Sequence, residues 1–154
     1  MLTYTAATPE QYDIFLQMMW EDGQEYGYLE TAMKLMQMTW EEYAQLFRTR
    51  GQVRSIFDGE RLAGFYWIEE RGDTLHLHGL ILNKDCQGKG IGTAVLTMLA
   101  KSYTGKMDKI ELGVYKANAG AIKLYEKTGF NITNDLSDLG FFIMQKSLIQ
   151  KSTP

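Results

Sequence analysis

The hexapeptide Gln87-Gly88-Lys89-Gly90-Ile91-Gly92 lies between a strand-like run, residues 75–82, and a helix-like run, residues 93–103. Glycines at alternate positions remove side chains where backbone N–H groups can surround an anion. The positive end of the following helix dipole points to the same place. Strand, glycine loop and helix together predict a pyrophosphate-binding loop. The alternative is a glycine-rich turn that binds nothing.

Two common phosphate motifs do not fit this loop. A dinucleotide-binding G-x-G-x-x-G that starts at Gly88 requires glycine at position 93, where the chain has Thr93. A P-loop requires serine or threonine directly after its lysine, and Lys89 is followed by Gly90. The loop instead has the pattern Q-x-x-G-x-G, which resembles the acyl-CoA-binding motif of the GNAT superfamily of N-acetyltransferases.

A second segment strengthens this resemblance. Residues 118–130 read N-x-x-A-I-x-L-Y-x-K-x-G-F, which looks like the other GNAT signature. Asn118 is a helix-capping residue type, and Gly129 is placed to end the helix. Ile122 and Tyr125 lie three positions apart and share one helix face. Taken alone, the segment is better explained as an ordinary amphipathic helix that ends at a glycine.

The resemblance implies an α/β (α+β) fold with a mixed, largely antiparallel central sheet flanked by helices, in one domain over residues 1–154. It implies transfer of an acetyl group from acetyl-CoA directly to an amine. An exposed strand edge can pair with the pantetheine amides of coenzyme A, as in strand addition. The predicted cofactor-binding residues are Leu80, Ile81, Leu82, Gln87, Gly88, Lys89, Gly90, Ile91, Gly92, Thr93, Asn118 and Tyr125.

Local patterns predict a matching alternation of strands and helices. Thr8 and Pro9 begin a helix over residues 9–22, and the capping-box spacing from Thr39 begins another that ends near Thr49. Residues 23–38 are predicted as helix and loop. Strands are predicted over residues 2–6, 53–57, 62–69, 75–82, 109–115, 130–133 and 140–145, with a hairpin at Asp58-Gly59.

The chemistry of acyl transfer to an amine defines the groups to look for. An alkylammonium has a pKa near ~10.4, so a base must remove its proton at neutral pH. The leaving thiolate benefits from an acid. The resemblance places the motif tyrosine, Tyr125, near the cofactor sulfur, where its phenol can donate a proton. The alternative is that Tyr125 is a core aromatic.

The predicted catalytic bases are His76 and His78, the only two histidines in the chain. Two positions apart on a strand, they point to the same face, and histidine titrates near pH ~6.5. The His-x-His spacing ahead of the loop resembles that of the arylalkylamine N-acetyltransferases. Half-buried structural histidines are the alternative, in which case the bases to consider next are Glu69, Glu70 and Glu111.

Composition limits the environment and partners. A single cysteine, Cys86, allows no internal disulfide and favours a cytoplasmic protein. No run is long enough to span a membrane, no basic stripe favours nucleic acid, and two histidines with one cysteine do not predict a metal site. Residues 10–42 carry eight acids and one base, a net charge of −7. This acidic part suits a cationic amine.

The identity of the amine stays open. A group of methionine and aromatic residues around positions 18–40 favours an apolar pocket, and Glu21, Asp22 and Glu25 could hold a cation. The same residues are also typical of a helical core. The sequence favours a small-molecule amine as acceptor and leaves a peptide acceptor and a non-catalytic acyl-CoA sensor as alternatives. It also allows a homodimer.

Overall fold

The computed structural model describes residues 1–149, without the side chain of Ser137. The strands are β1 Leu2–Ala6, β2 Gln52–Asp58, β3 Arg61–Arg71, β4 Thr74–Leu82, β5 Lys109–Tyr115, β6 Asn131–Leu136 and β7 Phe141–Ser147. The helices are α1 Pro9–Tyr26, α2 Leu29–Met36, α3 Trp40–Thr49, α4 Ile91–Tyr103 and α5 Ala119–Lys127, with short 3₁₀ turns at Lys84–Cys86 and Ser137–Leu139. No helix within residues 1–149 has the length and apolarity needed to cross a membrane.

The strands follow the order β1-β2-β3-β4-β5-β7-β6 in one sheet. Strands β4 and β5 are parallel. The pairs β1–β2, β2–β3, β5–β7 and β6–β7 are antiparallel. The prediction of a mixed, largely antiparallel sheet flanked by helices is therefore confirmed.

Two capping boxes start helices where the sequence places them. The Thr8 hydroxyl accepts the Gln11 N–H, and the Gln11 side chain accepts the Thr8 N–H. Thr39 and Glu42 make the same reciprocal pair at the start of α3. Each box satisfies backbone donors that the first helical turn leaves without partners.

The predicted end of α1 at Asp22 is wrong. The helix continues through Gly23 and ends at Tyr26, followed by Gly27 in the left-handed conformation with φ 69°. Gly23 is buried, and a Cβ there would lie 2.9 Å from the Leu29 Cβ. Because glycine lets α2 approach so closely, packing outweighs the weak helix propensity of this residue.

The described residues form two compact units. The first contains residues 1–68 and 79–87. Its core is aromatic: Phe15 stacks on Phe65 with ring centroids 4.5 Å apart, and Phe47 meets Trp67 edge-on at 5.0 Å. The Trp67 indole N–H donates to the Arg50 carbonyl at 2.7 Å, which satisfies the buried polar atom.

The second unit contains residues 69–78 and the described residues from 88 onward. Its fully buried side chains include Leu75, Val95, Ile110 and Met144. Strand β4 contributes residues to both units. The prediction of one domain over residues 1–154 stays a prediction, and residues 150–154 lie outside the described part.

Candidate functional site

The glycine loop has the backbone geometry of an anion site. Gly88 and Gly90 have φ of 73° and 84°, a left-handed backbone conformation that residues other than glycine rarely adopt. Helix α4 begins at Ile91, two residues earlier than predicted, so the N–H groups of Ile91, Gly92 and Thr93 belong to its first turn. No side chain within residues 1–149 caps this turn. These amides are therefore donors suited to a phosphate.

Gln87 has a side-chain role that the sequence did not indicate. Its Nε2 donates to the Leu82 carbonyl at 3.2 Å. This bond ties the residue before the glycines to the end of β4, within the first unit. The predicted pantetheine-pairing residues Leu80, Ile81 and Leu82 are each partly buried.

Gly64 of β3 is a residue that sequence reasoning missed. A Cβ at Gly64 would lie 2.1 Å from the Ile81 carbonyl oxygen and 2.8 Å from the Leu82 Cα. Both contacts are with backbone atoms, so a side-chain rotation cannot relieve them. Glycine at this position lets the two backbones approach at the strand segment predicted to pair with pantetheine.

Two predicted cofactor residues have structural roles in the second unit. Gly92 is buried, and a Cβ there would lie 2.9 Å from the Leu124 Cδ2 of α5. The Asn118 Oδ1 accepts the Ala121 N–H at 3.1 Å and caps α5, as predicted. These roles are compatible with ligand contacts made by the Gly92 backbone and the Asn118 amide nitrogen.

Each of the two histidines lies beside a carboxylate. His78 Nε2 is 2.8 Å from Glu69 Oε1, and His76 Nδ1 is 3.6 Å from Glu111 Oε1. The two imidazole rings are nearly parallel, with centroids 6.2 Å apart. Their side chains are 22% and 23% exposed, so both remain accessible to solvent.

Burial favours a neutral His78 imidazole, and it lies beside the ionised carboxylate of Glu69. The pKa of Glu69 is lowered to about 2, mainly by the Arg71 guanidinium, which donates to Glu69 at 2.7 Å, and also by the His78 contact. Burial lowers the pKa of His78, against the opposing effect of Glu69. Because an ionised carboxylate only accepts, the neutral ring carries its proton on Nε2, and Nδ1 is the nitrogen that takes another proton.

A second polar row crosses three strands. Glu111 is the register partner of His76 on β5, and Gln145 is the register partner of Glu111 on β7. Gln145 Nε2 donates to Glu111 Oε2 at 2.6 Å, which fixes the carboxylate that faces His76. Glu70, the third carboxylate considered from the sequence, is exposed at the end of β3.

Tyr125 is buried, with 8% of its surface exposed. Its ring packs edge-on against Phe130 with centroids 5.7 Å apart, so both residues belong to the core of the second unit. The packing role considered for Tyr125 is therefore present. A proton-donating role remains a proposal.

The acids suggested for holding an amine have protein partners. The Tyr28 hydroxyl donates to Asp22, and burial raises the pKa of Asp22. Glu25 pairs with Lys84 at 3.6 Å, and Glu21 accepts from Gln17 at 3.0 Å. Of the three, Asp22 alone is half-buried.

The chain belongs to the GNAT acetyltransferase family, a family of acyl-CoA-dependent N-acyltransferases, because residues 13–130 match the family model. It is 30% identical over 82 residues to a mycothiol acetyltransferase of Corynebacterium efficiens, which covers 52% of this chain and 28% of that protein. It is 29% identical over 96 residues to a probable spermine N(1)-acetyltransferase of Bacillus subtilis subsp. natto, which covers 60% of this chain and 56% of that protein. This chain thus spans less than two thirds of the length of either relative.

Solved structures agree with the fold. The PaiA N-acetyltransferase of Thermoplasma acidophilum, solved in complex with coenzyme A, superposes with a TM-score of 0.71 at 19% identity. The match covers 96% of this chain and 99% of that one. This likeness confirms the GNAT fold.

Proposed function

We propose that this chain transfers the acetyl group of acetyl-CoA to the primary amine of a small molecule in the cytoplasm. The observation that carries the proposal is the 2.8 Å contact between His78 and Glu69, which supplies a base in a chain of the GNAT family. The relatives named for mycothiol and spermine acetylation support a small-molecule acceptor.

The glycine loop fits the phosphates of coenzyme A. Its left-handed glycines and its uncapped helix start offer backbone N–H groups, and a Cβ at Gly88 or Gly90 would meet no described atom within 4 Å. We propose that the amides from Gln87 to Thr93 hold the pyrophosphate and that Leu80, Ile81 and Leu82 pair with pantetheine. Acetyl-CoA supplies the activated acetyl thioester.

Replacing Gly90 by Val is expected to weaken coenzyme A binding at least about tenfold, because loss of phosphate contacts worth 1.4 kcal/mol changes an equilibrium tenfold. The branched side chain occupies the space that a phosphate needs, and it disfavours the left-handed backbone conformation of this position. Isothermal titration calorimetry measures the affinity. The matched control is Gly105→Val, since Gly105 has a similar φ of 87° with open space around it. Equal affinities in the two variants would place the phosphates elsewhere.

His78 is proposed as the base that removes the amine proton. The Glu69 carboxylate holds the imidazole with Nε2 protonated, so Nδ1 takes the proton, and Glu69 stabilises the resulting imidazolium. The neutral amine nitrogen then bonds to the acetyl carbon as the carbon–sulfur bond breaks, and the acetylated nitrogen releases its extra proton to solvent to give the amide. His76, with its longer contact to Glu111, is the alternative or a second member of a shared relay.

Tyr125 is proposed as the acid that protonates the departing thiolate. The Tyr125→Phe change keeps the ring that packs on Phe130 and removes the hydroxyl. We expect kcat to fall by about 10²- to 10⁴-fold, while coenzyme A affinity and the melting temperature change little. Single-turnover kinetics measure the chemical step. A near-normal rate of that step would leave Tyr125 with its packing role alone.

Turnover of acetyl-CoA against a panel of acceptors tests the function itself. The panel contains polyamines, arylalkylamines, an aminosugar and a lysine-rich peptide, with thiol release and product mass as readouts. We expect N-acetylation of at least one small amine and slower reaction with the peptide. Coenzyme A binding without turnover would identify a sensor, and preference for the peptide would overturn the small-molecule proposal.

A further inference from the structure

A pocket of about 460 Å³ opens in the helical part of the first unit. It lies where the end of α1, helix α2 and the start of α3 meet. Its lining includes Trp20, Glu30, Met33, Lys34, Met38 and Trp40. Its volume is in the usual range for small-molecule sites. None of its residues belongs to the glycine loop or to the histidine–carboxylate pairs.

We infer that this pocket binds an organic monocation, an amine whose apolar body fills the pocket. Trp20 and Trp40 form an aromatic corner, with ring centroids 5.1 Å apart and planes at 71°. Trp20 is 38% exposed, an unusual position for so large an apolar ring. Tryptophan is the ring that most favours a cation over its face.

Methionine and leucine complete the apolar wall. Met33 and Met38 are partly buried beside the aromatic corner, and Leu29 lines the same space. Flexible thioether side chains adapt to ligands of different shape. The pocket therefore favours the apolar body of an amine over a fully hydrated polyamine.

A carboxylate at the rim can receive the ammonium group of the ligand. Glu30 pairs with Lys34 at 3.8 Å, and both side chains are more than three-quarters exposed, at 87% and 79%. An exposed pair of this kind is weak, so a ligand ammonium can replace Lys34 at the Glu30 carboxylate. The residues that line the pocket all lie within residues 10–42, which carry a net charge of −7.

Calorimetric titration in the absence of acetyl-CoA, with 2-phenylethylamine and its neutral analogue 2-phenylethanol, tests the inference. We expect the amine to bind and the alcohol to bind about 3- to 30-fold more weakly, as loss of a cation–π contact implies. Tryptophan emission should change with the amine. Equal affinity for both compounds, or no amine binding at millimolar concentration, would overturn the inference.

Four variants locate the binding. Met33→Trp fills the pocket and Trp20→Leu removes half of the aromatic corner, so each should abolish or strongly weaken amine binding. Glu30→Gln should weaken it more than Glu41→Gln, a control carboxylate exposed on α3 outside the pocket lining. Circular dichroism is used to check that each variant is folded. Unchanged affinity in Met33→Trp and Trp20→Leu would refute the assignment.

The His78→Gln variant distinguishes binding in this pocket from binding at the proposed acetyl-transfer site. This variant should bind 2-phenylethylamine as the parent chain does, because His78 does not line the pocket. Loss of binding in His78→Gln would show that the amine occupies the proposed acetyl-transfer site instead. The result is independent of whether the parent chain turns over acetyl-CoA.

Discussion

Replacing His78 by Gln is expected to lower kcat by about 10²- to 10⁴-fold, the range for loss of a general base. Gln keeps a polar side chain beside Glu69 but cannot accept the amine proton. Steady-state kinetics at saturating amine and acetyl-CoA measure the loss. The control is Glu70→Gln, which removes an exposed carboxylate next to Glu69 and should leave kcat nearly unchanged.

The two histidines can share the task, since their rings are 6.2 Å apart. A mild His78→Gln effect with a severe effect in the double His76→Gln/His78→Gln variant would indicate a shared relay. Near-normal kcat in the double variant, with chemistry rate-limiting, would show that neither histidine is the base.

Replacing Gly64 by Ala is expected to destabilise the protein by about 3 kcal/mol or more, at or above the upper end of the usual overpacking cost. The added Cβ would lie 2.1 Å from the Ile81 carbonyl oxygen, and only a backbone shift relieves that contact. Thermal unfolding should show a Tm lower by about 6 °C or more, given about 2–4 °C per kcal/mol for a chain of this size.

Gly79→Ala is the matched control for Gly64→Ala. Gly79 lies on β4, and an added Cβ there would meet no described atom within 4 Å. Its Tm should therefore stay close to that of the parent chain. Equal Tm values for the two variants would contradict the close approach of β3 and β4 at Gly64.

Local sequence patterns predicted the family and most of the fold. The glycine loop and the Asn118–Phe130 segment each need particular residue types at fixed positions over a short stretch, so they are recognisable without a structure. The capping boxes at Thr8 and Thr39 were likewise readable, because each needs only two residues at fixed spacing.

Features that depend on tertiary packing were not predictable. Gly23 marks a helix end in sequence, yet it lies inside α1 because Leu29 packs against it. Gly64 gives no signal, since its constraint comes from the backbone of another strand. Both cases show tertiary contacts overriding local propensity.

The pairing of each histidine with its carboxylate could not be predicted without knowing the register of the strands. His76 and His78 were visible as candidates, but the pairing of His76 with Glu111 follows from the parallel register of β4 and β5. Gln145 enters through the antiparallel pairing of β5 with β7. The contact between Glu69 and Arg71 could be predicted locally, because the two residues are two positions apart on β3 and alternate strand residues share a face.

The pH dependence of kcat in the parent chain and in Glu69→Gln tests the central claim most directly. The base must be neutral, so kcat should fall as pH drops through the His78 pKa, which burial lowers from its usual value near ~6.5. Glu69 raises that pKa, so Glu69→Gln should move the acid limb to lower pH and reduce the plateau, while Glu70→Gln leaves the limb in place. A limb that follows the pKa of the amine acceptor and is unmoved by Glu69→Gln would contradict a base built from His78 and Glu69.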